Sequence, residues 1–128
     1  MTQTISLISI VVDDYDSAKQ YYTEVLGFYE FEDTVMGPNK RWVVVGPSKE
    51  GVRLLLAKAK NDTEAKAIGN QTGGRVFLFL DTDDFWRDHK RYTAANVEFI
   101  REPATEDYGI VSVFRDKYGN LWDLVQRT

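Results

Sequence analysis

Near the C-terminus the chain reads Phe-Arg-Asp-Lys-Tyr-Gly-Asn-Leu-Trp-Asp-Leu-Val-Gln over residues 114–126, and Asp123 is out of place in it. A strand at this point would carry another Val or Leu between Trp122 and Leu124. A carboxylate set among apolar neighbours has three chemical uses: ligating a divalent cation, taking a proton from a substrate, or holding a cationic group. Arg53, which opens Arg53-Leu54-Leu55-Leu56, is a second charge in a strand-like run. The other usual reagents are missing. Cysteine is absent, and the one histidine, His89, stands in Arg87-Asp88-His89-Lys90-Arg91-Tyr92, where charged neighbours predict a solvated helix position. That leaves no thiolate nucleophile, no Ser-His-Asp or Cys-His set and no Cys-based zinc site. Two inward carboxylates at glycosidase spacing are not evident either. Gln71-Thr72-Gly73-Gly74-Arg75 has paired glycines and a cation, yet it lacks the GxxxxGK[ST] spacing and precedes a strand, so a phosphate cradle is not expected.

Composition narrows the classes further. At 128 residues the chain is long enough for one ordinary globular domain. A net charge of −4, with sixteen basic residues scattered along the sequence, argues against a sequence-independent grip on nucleic acid. The absence of cysteine fits a reducing compartment, and a cytoplasmic location is expected. The start, Met-Thr-Gln-Thr-Ile-Ser-Leu-Ile-Ser-Ile-Val-Val-Asp-Asp, has no basic region before its apolar run, and two aspartates follow that run. It is expected to be a strand, with no membrane partner.

The elements that must position these residues come from a repeat. Asp13-Asp14-Tyr15 follows an apolar run and opens a helical stretch, and Asp83-Asp84-Phe85 does the same 70 positions on. Residues 26–31 then align with 95–100 and 41–56 with 109–124, where Gly51 meets Gly119 and the offset has fallen to 68. The chain therefore divides into a module over 1–57, a polar linker over 58–74 and a second module over 75–128. Each module is expected to be βαβββ. In the first, Asp13 or Asp14 caps a helix that buries Tyr15, Ala18, Tyr21, Tyr22 and Val25 and stops at Leu26-Gly27, with Gly27 suited to the left-handed position. Strands are expected around 5–12, 28–34, 41–45 and 52–57. The second module predicts strands at 76–80, 97–101, 110–114 and 121–126, a helix over 85–95 and a hairpin turn at Asp116-Lys117-Tyr118-Gly119-Asn120.

With two βαβββ copies, a helix ending Tyr-Tyr-Thr-Glu-Val-Leu-Gly-Phe and a last hairpin Asp-Lys-Tyr-Gly-Asn-Leu-Trp-Asp, the chain resembles the vicinal oxygen chelate superfamily. That group holds glyoxalase I, extradiol dioxygenases and the bleomycin- and fosfomycin-resistance proteins. The resemblance spans essentially the whole chain. It implies an α+β fold in which the tandem modules form curved mixed sheets around a cleft, and a homodimer. Metal-dependent members ligate a divalent ion from four strand positions, two in each copy. Carried onto this sequence, those positions are Leu7, Leu55, Phe77 (or Val76 if the register slips by one) and Asp123. Only Asp123 keeps a donor, and one carboxylate cannot hold such an ion alone, so no metal or other cofactor is expected.

Strand parity predicts what lines the cleft. If Asp123 points inward, Leu121 and Val125 accompany it while Trp122 and Leu124 pack under a helix. Leu7, Ser9 and Val11 face the cleft from the first strand, Phe77 and Phe79 from the second copy, and Arg53 and Leu55 from the last strand of the first copy. The result is an apolar pocket with Ser9, Arg53 and Asp123 as polar anchors. Arg53 and Asp123 either neutralise each other or contact a ligand. Trp42 either stacks on a ligand at the mouth or belongs to the core. Tyr108, before Gly109, resembles the family's Tyr-Gly and is expected at the cleft rim.

Two functions from different classes follow. The first is a metal-independent small-molecule binding protein of the bleomycin-resistance type that sequesters a cationic or aromatic compound without chemistry. The second is a glyoxalase-like lyase or isomerase that uses Asp123 as general base, its pKa raised by the apolar wall. A glyoxalase-like metal enzyme with displaced ligands is a third option, for which the sequence offers no donors.

Overall fold

The computed structural model describes residues 1–128, and the chain divides into two compact units, Met1–Ile68 and Gly69–Thr128. The first unit runs β1 (Leu7–Val12), α1 (Tyr15–Gln20), a wide π turn (Tyr21–Val25), β2 (Tyr29–Gly37), β3 (Lys40–Gly46), β4 (Arg53–Lys58) and α2 (Asp62–Ala67). Its sheet has the order β1-β4-β3-β2, with β1 parallel to β4 and the other pairs antiparallel. The second unit runs β5 (Val76–Asp81), α3 (Phe85–Ala94), β6 (Glu98–Phe99), β7 (Ala104–Glu106), β8 (Gly109–Arg115) and β9 (Leu121–Arg127). Its sheet has the order β5-β9-β8-β6, with β7 also on β8 and β5 parallel to β9. The first unit is thus βαβββ with a trailing helix, the second is βα followed by four strands because β6 and β7 divide the pairing on β8, and the α+β class holds.

The repeat is visible in the caps as well as the strands. Asp14 accepts from the Ser17 amide and Asp84 from the Arg87 amide, each satisfying an orphan donor of its helix's first turn. At the other end Gly27 (φ 78°) and Asn96 (φ 66°) take the same left-handed conformation, 69 positions apart. The amide of the next residue closes back on a matched tyrosine: Phe28 on the Tyr22 carbonyl and Val97 on that of Tyr92. The first helix is not regular throughout. Beyond Gln20 it widens, the Leu26 amide reaching back five residues to Tyr21, where the Thr23 hydroxyl has taken the Lys19 carbonyl at 2.7 Å.

Alternation along the strands separates two faces. Ile10, Val12, Val43, Val45, Leu54 and Leu56 in the first unit, and Phe114, Trp122 and Leu124 in the second, are buried on the helix side with Tyr22, Phe85 and Tyr92. The intervening residues form the opposite, open face of each sheet, on which Val44, Val113 and Val125 are nonetheless buried by their neighbours. An ionic clamp also ties α1 to its sheet: Asp33 of β2 accepts from Lys19 at 2.6 Å and from Arg41 at 2.8 and 3.1 Å, and Arg41 reaches Asp16 at 2.9 Å.

Three departures from the sequence expectations have physical causes. The polar stretch after residue 58 is not featureless: Asn61 caps α2 by accepting from the Glu64 amide. The strand expected over 97–101 shrinks to Glu98–Phe99, and β7 takes up the pairing with β8 beyond Pro103. His89 is not solvated. Its ring lies 4.3 Å from that of Phe99, and Phe85 and Trp86 flank it at 5.6 and 5.8 Å, so the imidazole is half-buried in an aromatic cluster.

The first sheet is also split. The β3–β4 ladder consists of Val43, Val44 and Val45 against Leu56, Leu55 and Leu54. Beyond it β3 continues on β2 as far as Lys40, and β4 continues on β1 as far as Lys58. A cavity of about 310 Å³ is lined by both parted ends, with Trp42 on one side and Ala57 on the other.

Candidate functional site

The last hairpin is built to present Asp123. At its turn the Asp116 carboxylate is buried and accepts from the amides of Tyr118, Gly119 and Asn120 at 2.9 to 3.1 Å. It also accepts from the Asn120 side chain at 3.1 Å and the Trp122 indole at 3.0 Å. These bonds fix the start of β9 with Trp122 turned inward. Alternation then sends Leu121, Asp123 and Val125 to the open face, where Asp123 is flanked by Phe79 of β5 and Val113 of β8.

A cavity of about 370 Å³ opens on this unit, walled by Val76, Phe79, Ile100, Val113 and Leu121, with Arg75 and Arg101 also in its lining. Phe79 and Val113 are Asp123's neighbours across the sheet, and Leu121 is the next residue on its face. Burial pushes the Asp123 carboxyl pKa up, while Arg101 and Arg127 pull it down. Both cavity arginines have their main chain pinned. The Thr72 hydroxyl donates to the Arg75 carbonyl at 2.5 Å and the Ser112 hydroxyl to that of Arg101 at 2.7 Å.

Phe77 is shifted by a bulge. Val76 pairs with Leu121 and Leu78 with Trp122, so Phe77 has no partner on β9. Val76, one residue earlier, pairs with Leu121 and lies in the cavity lining. Tyr108 is half exposed in the β7–β8 turn, where its carbonyl accepts from Thr128. It adjoins the Gly109–Arg127 end of the ladder, four pairs from Asp123.

In the first unit Leu7 pairs with Arg53 and Ser9 with Leu55, all four on the open face. The Arg53 guanidinium lies 3.6 Å above the Phe31 ring and donates to the Lys49 carbonyl at 3.3 Å. Its charge is thus engaged within its own unit, as Asp123 is influenced by Arg101 and Arg127 in the other. Trp42 is half-buried beside Val44's row and donates its indole N–H to Glu32 at 2.9 Å, so it is neither deep core nor free.

Residues 4–124 match the family described as the Glyoxalase/Bleomycin resistance protein/Dioxygenase superfamily. The chain belongs to that superfamily. An uncharacterised protein of Shewanella frigidimarina is 53% identical over 128 residues, covering 98% of this chain and 95% of its own. Among solved structures, UcmS2 is 34% identical with a TM-score of 0.83, covering 98% of each chain. TnmS3, described as an antibiotic binding protein from Streptomyces sp. CB03234, is 28% identical with a TM-score of 0.80, covering 99% of this chain and 98% of its own.

Superfamily membership raises the question of a divalent ion, and the donors here do not fit one. Leu7, Leu55 and Phe77 or Val76 offer no lone pair at the corresponding positions, and nowhere do three His, Cys, Asp or Glu side chains converge. A hard or borderline cation needs several such donors together. No helix is long and apolar enough to cross a membrane.

Sequence reasoning missed Arg75, Ile100 and Arg101 at the cavity. Arg75 reads in sequence only as part of a glycine-rich turn. Ile100 and Arg101 fall in the strand expected over 97–101, which stops at Phe99, and Pro103 is the signal that the chain leaves the sheet there.

Proposed function

We propose that this member of the superfamily is a metal-independent binding protein that sequesters an aromatic small molecule. The observation that carries the reading is the cavity beside Asp123. Its volume falls within the range of small-molecule sites, about 300 to 1,000 Å³, and its lining mixes the apolar side chains of Val76, Phe79, Ile100, Val113 and Leu121 with Arg75 and Arg101. The likeness to TnmS3, an antibiotic binding protein, supports the same reading. The cationic ligand anticipated from Asp123 loses ground, because Arg75 and Arg101 border the same cavity. Leu7, Ser9, Trp42, Arg53 and Leu55 on the open face of the first unit, and Tyr108 on the second, remain proposed ligand contacts. The working form is a cytoplasmic homodimer with twofold symmetry. Light scattering giving a dimer mass at micromolar concentration supports that assembly, and a monomer mass rejects it.

Native mass spectrometry of freshly purified protein tests the main reading. A co-purifying aromatic compound that is released unchanged supports it. Recovery of a chemically altered product favours the second reading, a lyase or isomerase with Asp123 as general base. That alternative rests on the partly buried carboxyl beside the cavity, whose pKa burial raises, the direction that makes it a stronger base.

A further inference from the structure

The cavity in the second unit carries an unbalanced set of charges. Arg75 and Arg101 are both in its lining and both exposed, and Asp123, outside the lining, is the carboxylate on the adjoining strand row. Neither arginine takes part in an ion pair or donates a side-chain hydrogen bond to the protein. Elsewhere in the molecule the arginines that organise structure are engaged: Arg41 with Asp16 and Asp33, Arg87 with Asp83 and Asp88, Arg115 with Glu98, Arg127 with Asp81. Arg75 and Arg101 differ in having no salt-bridge partner while their backbones are anchored, Arg101 feeling only the longer-range attraction of Asp123. Hydroxyl groups from Thr72 and Ser112 hold the two carbonyls, and Ser112 is itself buried. Ordering a side chain at a ligand costs less when its main chain is already fixed.

We propose that this site, which rests on the small-molecule reading above, is selective for an aromatic carboxylate. The planar anion sits with the guanidiniums of Arg75 and Arg101, and the ring system lies against Phe79, Val113 and Leu121. A guanidinium offers forked N–H donors that match the two oxygens of a carboxylate, and it binds planar anions better than an ammonium does. Phe79, 63% exposed, supplies an aromatic surface with no ring of its own unit covering it. The negative charge of Asp123 sets the polarity of the pose. From beside the lining it repels a carboxylate that approaches its own strand row, and it favours ligands that present a hydrogen-bond donor on that side.

Calorimetry with three probes of one ring system tests this: 2-naphthoate, its methyl ester and 2-naphthylmethylammonium. Naphthoate is expected to bind at least about tenfold more tightly than either of the others, about 1.4 kcal/mol. Arg75→Gln and Arg101→Gln should each bring naphthoate down toward the ester, with a smaller loss for the ester itself. Ester or ammonium binding as tightly as naphthoate, or naphthoate binding unaffected by both substitutions, overturns the carboxylate assignment and leaves the aromatic-binding reading intact. No heat from any of the three, at concentrations up to millimolar, counts against the cavity as a binding site and removes both.

Discussion

Phe79 and Asp123 are register partners across the parallel β5–β9 ladder, so an exposed ring and a partly buried carboxylate stand side by side on the open face of the second unit. The carboxylate has no ion-pair partner within its unit. Burial raises its pKa from 3.8, more than Arg101 and Arg127 lower it. An acid whose folded pKa exceeds its unfolded value binds its proton more tightly when native. It therefore costs stability above the folded pKa, and that cost disappears as pH falls through it toward 3.8. Asp123→Asn should raise the melting temperature at pH 7 and change it little at pH 3. A fall at pH 7 would mean that the charge has a stabilising partner.

Asp116 should behave in the opposite way. Its carboxylate is 4% exposed and satisfies three backbone amides, the Asn120 amide and the Trp122 indole. Asp116→Ala leaves those donors buried without an acceptor, at a cost of about 3 to 5 kcal/mol. Urea denaturation measures it. A loss below about 1 kcal/mol would show that water reaches the turn and takes over the bonds.

The clamp on α1 gives the acid limb of stability its shape. Hydrogen bonds from Arg41 and then Lys19 hold the Asp33 carboxyl down to about 2, from 3.8. A depressed folded pKa stabilises above the unfolded value and loses that contribution as pH falls toward about 2. Asp33→Asn should flatten the dependence of stability on pH between about 2 and 4. An unchanged slope in that window would place the acid sensitivity in other carboxylates.

Metal content follows from the donor set. If the superfamily's ligand positions fall on Leu7, Leu55, Phe77 or Val76, and Asp123, an ion would be held by one carboxylate and water. Elemental analysis after dialysis should find far less than one Ni, Zn, Fe or Mn per chain, and EDTA should leave the melting temperature unmoved. Near-unit occupancy, or a drop with chelator, would defeat the metal-independent reading.

Much of the fold was legible because the chain states it twice. Asp14 and Asp84, Gly27 and Asn96, and Gly51 and Gly119 mark equivalent corners, and the alternation in β1, β4 and β9 placed Leu7, Leu55 and Asp123 on one type of face. What escaped was set by tertiary context. The bulge that displaces Phe77 depends on how β5 meets β9, and no period in Val76-Phe77-Leu78-Phe79 announces it. Charged neighbours in sequence hid the aromatic surroundings of His89, since Phe99 reaches it from another strand. The cavity arginines were hidden for a similar reason: Arg75 and Arg101 lie 26 residues apart and meet only through β5, β8 and β9.

The split in the first sheet makes that unit a pair of ribbons joined by a short seam. The β1–β4 ladder carries six registered pairs and β2–β3 seven, while the seam between β3 and β4 carries three. Partial unfolding follows the line of fewest bonds, so the β2–β3 ribbon is the piece that can peel away while β1 and β4 stay together. Amide exchange should report this as two protection classes within one sheet. Trp42, at the mouth of the split and tethered to Glu32 on its own ribbon, would travel with β2 and give the opening a fluorescence signal.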